Sequence, residues 1–266
     1  MPQAGRRGDP ATTYVSVLDV GQGTAVVVRA GEHALVYDTG GGDPAGNNMA
    51  RSVLLPFLQR QGVSQLHTLV ISHGDNDHSA GAALLQAATA PQQLFYGGTD
   101  SGHYAGQPCV AGHNWRWPGG QRFRFLAPGQ EEGGALRSND SSCVLQIEAG
   151  GHTLLLAGDI EADRERQLVR YWGDELASDV LLVPHHGSRT SSSHALLKHV
   201  QPAVALVSSG YANRFGHPHV DVTARLAAFG ARVYGTAEYG ALEFELAAGK
   251  PLSVRKYRRE YMRFWM

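Results

Sequence analysis

The apolar run Leu69-Val70-Ile71 is followed at once by Ser72-His73-Gly74-Asp75-Asn76-Asp77-His78. The run reads as a short buried strand. Four side chains able to bind a cation, His73, Asp75, Asp77 and His78, then fall within six residues. Gly74 helps the backbone turn so that they converge. In α/β folds, ligands bind at the carboxyl ends of strands. The spacing puts His73 and Asp75 within reach of one cation, and Asp77 and His78 within reach of a second. Two cations about 3.5–4 Å apart can hold an attacking hydroxide and a scissile phosphate together. A lone His or Asp here would read as part of a polar turn, but H-x-D-x-D-H directly after a buried strand reads as a metal site.

The same arrangement recurs. Leu154-Leu155-Leu156-Ala157 runs into Gly158-Asp159, a carboxylate suited to bridging two cations. Val180–Val183 ends at Pro184-His185-His186-Gly187-Ser188. Either His185 or His186 completes a metal shell, and the other orients it or binds substrate. Ser138-Asn139-Asp140-Ser141-Ser142 precedes the strand Cys143–Ile147, so Asn139 or Asp140 completes or flanks the first shell. Asp38 closes the strand Ala34–Tyr37; it is either a hydrogen-bond partner of a ligating His or a turn residue. Asp19 and Gln22 lie in a turn bracketed by Gly21 and Gly23, either beside the site or serving only the backbone. His217, in a loop bounded by Gly and Pro, is placed to contact a phosphate or protonate a leaving oxygen. Ser188 offers a hydroxyl to the substrate.

Residues 1–12 lack an apolar pattern and read as a disordered arm. Residues 13–249 read as one domain, since no Pro- or Ser-rich linker divides them. Helical spacing marks Asn48–Gln61, with Pro56 inside it, and also Ser79–Ala88, Ile160–Tyr171 and Val220–Phe229. Hairpins mixed with strand–helix units give two sheets with helices outside. The two halves look like weak pseudo-repeats. Residues 250–266 form a basic aromatic tail, in which Lys250, Arg255, Lys256, Arg258, Arg259 and Arg263 alternate with Tyr257, Tyr261, Phe264 and Trp265. Such a segment either contacts nucleic acid or packs as an edge strand. The net charge of −1 argues against a protein that coats nucleic acid, but not against a nucleic-acid enzyme. No run approaches the roughly 18 apolar residues of a membrane span, and no signal peptide is expected. Cys109 and Cys143 either pair or stay reduced.

As a set these motifs are recognisable. H-x-D-x-D-H resembles the H-x-H-x-D-H signature of the metallo-β-lactamase superfamily, with Asp75 in place of the second His. Leu18-Asp19-Val20-Gly21-Gln22-Gly23, Ala157–Glu161, Pro184–Ser188 and Ser208–Pro218 resemble the C-terminal domain of ComEC-type competence proteins. The resemblance runs from about Val15 to Leu246. It implies an αββα sandwich, two mixed sheets flanked by helices, with a two-metal site at its edge. It further implies a nuclease role in DNA uptake. In such proteins the domain follows a membrane channel and lies on the outer side of the cytoplasmic membrane. This chain would then be an excised domain or a free-standing relative. One departure is Thr24, where the family often has Asp.

The expected activity is therefore metal-dependent cleavage of DNA, single- or double-stranded. Asp77 would orient the attacking water and His217 would steady the phosphate or leaving group. Asp75 replaces an imidazole with a harder oxygen donor, so the two divalent ions are expected to be Mn²⁺ at least as readily as Zn²⁺. The alternatives are a metallo-hydrolase of small esters or phosphodiesters, and a DNA-handling module with a vestigial metal site.

Overall fold

The computed structural model describes residues 9–98, 106–129 and 138–260. The first half supplies β1 (Thr13–Val17), β2 (Val26–Ala30), β3 (His33–Tyr37), β4 (Thr68–Ile71), β5 (Gln93–Tyr96) and β6 (Gln107–Pro108). The second supplies β7 (Asn114–Arg116), β8 (Arg122–Ala127), β9 (Val144–Ala149), β10 (His152–Leu156), β11 (Val180–Leu182), β12 (Val204–Val207) and β13 (Arg232–Gly235). The chain then returns to the first sheet with β14 (Leu242–Leu246) and β15 (Arg255–Lys256). The sheet orders are β15-β14-β1-β2-β3-β4-β5-β6 and β13-β12-β11-β10-β9-β8-β7.

Both sheets are mixed in the same way. Antiparallel pairing through β1, β2 and β3 gives way to parallel pairing from β3 to β6. Likewise β7 to β10 are antiparallel and β10 to β13 parallel. This repeated topology is the physical content of the weak pseudo-repeat.

The period of two along each strand sorts side chains into layers. From β3, Leu35 and Tyr37 enter the core between the sheets, while Ala34 and Val36 face outward. From β10, Leu154 and Leu156 point in and Leu155 points out. The outer face of the first sheet is covered by α1 (Leu55–Arg60) and α3 (Ala82–Thr89), through Leu58, Ala82 and Leu85; α2 (Asn76–Ser79) lies between them in the chain. On the second sheet, α4 (Ala162–Trp172), α5 (His194–Val200) and α6 (Val220–Ala228) cover the outer face through Leu168, Leu196, Leu197, Val200, Val222 and Leu226. This is the expected αββα sandwich.

The helix expected over Asn48–Gln61 is present, a π-helical turn, Ala50–Leu54, leading directly into α1. Pro56, which lacks an N–H, falls at the junction of the two. One local expectation needs correction: the helix expected over Ser79–Ala88 starts only at Ala82, as α3, because α2 ends at Ser79 and Gly81 stands between them, where a Cβ would lie 2.2 Å from that of Ala50. Of the two readings of the basic tail, the edge strand holds as far as Glu260. β15 pairs with β14, and α7 (Thr236–Tyr239) and α8 (Tyr257–Glu260) follow the sheet's edge. Its cations are used internally: Lys250 meets Glu245 at 3.1 Å, Arg255 meets Glu260 at 2.8 Å and Arg258 meets Asp19 at 2.7 Å. Lys256 lies over the Tyr234 ring. Residues 261–266 lie outside the described residues. So do residues 1–8 of the expected arm; Asp9–Thr12 form a turn whose Pro10 carbonyl accepts a hydrogen bond from Gln121.

Candidate metal centre

The expected ligands meet where β3, β4, β10 and β11 end. After β4, Asp75 adopts an extended conformation and starts α2, which puts Asp77 and His78 in one helical turn. Asp159 follows β10 across Gly158, which has a positive φ of 57°. A Cβ on Gly158 would lie 2.6 Å from the Ser142 Cβ, so only glycine allows this approach. His185 and His186 follow β11 with φ of 50° and 54°. A left-handed backbone costs a non-glycine residue roughly 1–2 kcal/mol, and such strain collects at functional sites.

Two overlapping groups result. Ligand atoms of His73, His78 and Asp159 lie within 4.8 Å of one another, as do those of Asp77, His78 and His186. The His78 Nε2 is 3.2 Å from Asp159 Oδ1 and 3.2 Å from His186 Nε2. The His186 Nε2 is in turn 3.2 Å from Asp77 Oδ2 and 3.5 Å from Asp159 Oδ2. His185 stands further out, 3.9 Å from Asp159 and 3.5 Å from Glu161.

Hydrogen bonds decide which nitrogen of each imidazole is free. His186 Nδ1 lies 2.8 Å from the Ser208 carbonyl oxygen, so it must donate. His78 Nδ1 lies 2.7 Å from Asp38 Oδ2 and donates to that carboxylate. Asp38 also accepts from the Ser72 backbone N–H and hydroxyl, at 2.6 and 2.7 Å. With its one hydrogen committed to Asp38, the Ser72 oxygen accepts from His73 Nδ1 at 3.0 Å. All three rings are thus anchored through an Nδ1–H, which leaves Nε2 as the inward nitrogen, free to take a proton or a cation. His73 Nε2 is buried with no hydrogen-bond partner.

Lone pairs and carboxylates packed this closely require positive charge among them. Burial would lower the His78 pKa, but Asp159 and Asp38 outweigh it and hold it well above the ordinary value. His186 is raised in the same way by Asp159 and Asp77 against its burial. Burial would raise Asp159, yet His78 and His186 hold it well below the usual carboxylate range. Asp75 falls to about 2, chiefly through His73, with burial opposing and the Ser138 hydroxyl assisting. The donor set, N and O atoms with their far sides anchored, suits divalent cations better than protons.

Other expected residues take different places. Asp75 Oδ2 is 3.6 Å from His73 Nε2, and Asp75 belongs to neither group. His78, expected to serve one cation, belongs to both groups. Asp140 accepts the Glu161 N–H at 3.2 Å and Asn139 offers its backbone carbonyl to Ser142, so both shape the loop rather than join the groups. Ser142 is the residue that matters there: its hydroxyl lies 3.4 Å from His73 Nδ1 and accepts the Asp159 N–H at 3.0 Å. Asp19 binds Arg258, and Gln22 accepts the Gly210 N–H, so neither is hydrogen-bonded to His73, His78 or His186. Ser188, expected at the substrate, is buried and hydrogen-bonds Thr190. The backbone N–H of Thr24 donates to the Asp77 carbonyl. His217 is half-buried, with its ring 5.9 Å from that of His185 and 6.4 Å from that of His186. Sequence reasoning missed Ser72 and Ser208, and weighed Ser142 only as part of a turn.

A model of the metallo-β-lactamase superfamily matches residues 18–211. The chain belongs to the metallo-β-lactamase superfamily. It is 38% identical to "Competence protein ComA" of Neisseria gonorrhoeae over 94% of its length and 34% of that protein's. It is 39% identical to "Recombination protein 2" of Haemophilus influenzae, covering 94% of this chain and 31% of the relative. It thus spans about a third of these relatives, which bear out the resemblance to ComEC-type competence proteins. Among solved structures, the metallo-β-lactamase fold protein YhfI of Bacillus subtilis aligns with a TM-score of 0.57 and 15% identity. That alignment covers 88% of this chain and 99% of YhfI, a likeness of fold.

Proposed function

We propose that this superfamily member is a metal-dependent phosphodiesterase that cleaves DNA during its uptake. The observation that carries the reading is the convergence of three inward Nε2 atoms, from His73, His78 and His186, on the carboxylates of Asp77 and Asp159. His73 and Asp159 would hold one divalent cation and Asp77 and His186 a second; His78, whose Nδ1 is committed to Asp38, would give its single Nε2 lone pair to one of the two, with Asp75 and His185 at the border. When bound, such cations supply Lewis acidity toward a phosphoryl oxygen and lower the pKa of water.

The chain's own residues do the rest. Asp38, Ser72 and Ser208 fix the tautomers and ring orientations. Asp77, on the more open side, orients the attacking water. Burial and the neighbouring histidines lower the His217 pKa, so it is a neutral imidazole at pH 7. It offers a hydrogen bond to the phosphate or the leaving oxygen. Oxygen donors from Asp75, Asp77 and Asp159 favour Mn²⁺ at least as readily as Zn²⁺.

The likeness to the competence protein ComA supports a role in competence. The buried disulfide between Cys109 and Cys143 supports an oxidising compartment, on the outer side of the cytoplasmic membrane. Among the described residues no helix is long and apolar enough to cross a membrane. A channel portion would be a further part of a longer parent protein.

The test is a substrate panel: single-stranded DNA, duplex DNA, a small phosphodiester and a small carboxylic ester, each with Mn²⁺, with Zn²⁺ and with chelator. Metal-dependent cleavage of DNA is expected. Turnover of the carboxylic ester alone would make it an esterase, and activity with Zn²⁺ only would refute the metal preference.

A further inference from the structure

Beside the metal centre the chain leaves large apolar side chains in water. Tyr211 is 84% exposed, Phe215 53% and Val220 70%. All three belong to the segment around His217. Exposed apolar groups gathered in one segment mark a binding surface.

The loop that carries the two rings is held rigid. Asn213 donates from Nδ2 to the carbonyls of Gly210 (2.9 Å) and His217 (2.6 Å), and its Oδ1 accepts the His217 N–H at 3.0 Å. Gln22 anchors its start by accepting the Gly210 N–H at 3.3 Å. Phe215 is therefore set in place before any ligand arrives.

Its ring plane continues the centre outward. Phe215 stacks on His217 with centroids 5.7 Å apart and planes at 23°, and His217 lies 6.4 Å from His186 at 24°. The Arg214 guanidinium lies 4.8 Å from the centre of the Phe215 ring, and among the described residues no carboxylate pairs with it. His217 Nδ1 is buried without a hydrogen-bond partner. A cation without a carboxylate partner, the exposed Phe215 ring and an unsatisfied imidazole nitrogen thus lie beside His186, with Tyr211 exposed on the same loop.

We propose that Tyr211, Arg214 and Phe215 form a platform that stacks an unpaired nucleobase next to the scissile phosphate, making single-stranded DNA the preferred substrate. The inference rests on the phosphodiesterase reading. Aromatic rings and Arg accept any base, because every base has a π-face. In a duplex those faces are covered by neighbouring base pairs, and exposing one costs unstacking.

The experiment is fluorescence anisotropy on the full chain in chelator, where binding is read without cleavage. The probes are fluorescein-labelled (dT)12, an abasic 12-mer of the same backbone and a 12-base-pair duplex. The wild type is expected to bind (dT)12 at least about tenfold tighter than either other probe. Phe215→Ala and Tyr211→Ala should each weaken (dT)12 binding by about tenfold, with abasic binding unchanged, and Phe215→Trp should restore it. Equal binding of (dT)12 and the abasic strand, equal binding of the duplex, or wild-type affinity in Phe215→Ala would overturn the proposal. A chain that shows base-dependent binding but cleaves no DNA with any cation would contradict the phosphodiesterase reading and leave the platform standing.

Discussion

At the residue scale, Asp38 does more than end a strand. One buried carboxylate takes three donors: the Ser72 N–H, the Ser72 hydroxyl and His78 Nδ1. Asp38→Ala leaves each of them without an acceptor, at about 1–3 kcal/mol per buried donor. Metal affinity, measured by competition with a chromogenic chelator, should fall 10–100-fold, as it does when such anchoring partners are lost. Unchanged affinity would mean that the His78 ring is fixed by packing alone. Asp77→Ala should keep the fold, read by circular dichroism, and abolish cleavage. At this scale the candidate ligands were legible, because they follow apolar strands directly. Their grouping was not, since the place of His78 in both groups depends on how Asp159 and His186 arrive from the other sheet.

At the scale of elements, α4 holds the loop that follows the strained His185-His186 turn. Glu165 accepts the backbone N–H groups of Ser192 and Ser193, at 2.5 and 2.7 Å, from a fully buried position. Burial raises its pKa, against the opposing pull of those N–H groups and of Arg225. A carboxyl whose folded pKa exceeds its unfolded one contributes stability below the unfolded value, near 4.5, and loses it as pH rises through the folded value. The urea midpoint of the wild type should therefore fall relative to Glu165→Gln as pH rises above about 4.5. A difference that stays constant with pH would refute the shift. Gly158→Ala tests another joint, where a Cβ would collide with Ser142. Positive φ alone makes it destabilising by roughly 1–2 kcal/mol, and displacement of Ser142 from His73 should weaken metal binding as well. Long periodic elements such as α4 and α6 were legible. So was an edge strand in the basic tail, which is β15; the break at Gly81 was not, because it lies where Ala50 packs against the helix.

Across the whole molecule, two sheets of the same mixed topology bring their strand ends to one edge, and this alone unites ligands more than a hundred residues apart. The Cys109–Cys143 bridge ties the first sheet to the start of β9, just after Ser142, and the Cys143 carbonyl accepts the Tyr37 hydroxyl at 2.6 Å. Pairing was open from the sequence, because only the folded chain brings the two Cα atoms to 5.8 Å. Cys109→Ser with Cys143→Ser should lower unfolding free energy by about 2–4 kcal/mol in urea titration. Because the bridge borders Ser142, metal affinity should fall too; an unaffected affinity would separate the bridge from the centre.

The central claim is that these residues form one cation-dependent centre for cleaving DNA, and His78 is the residue both cation groups share. The most direct measurement is the cleavage of end-labelled single-stranded DNA in Mn²⁺ by the wild type and by His78→Ala, with chelator as the control. The wild type should cleave only with the cation, and His78→Ala should fall to the chelator background while remaining folded. Cleavage by His78→Ala at the wild-type rate, or cleavage by the wild type that persists in chelator, would contradict the account.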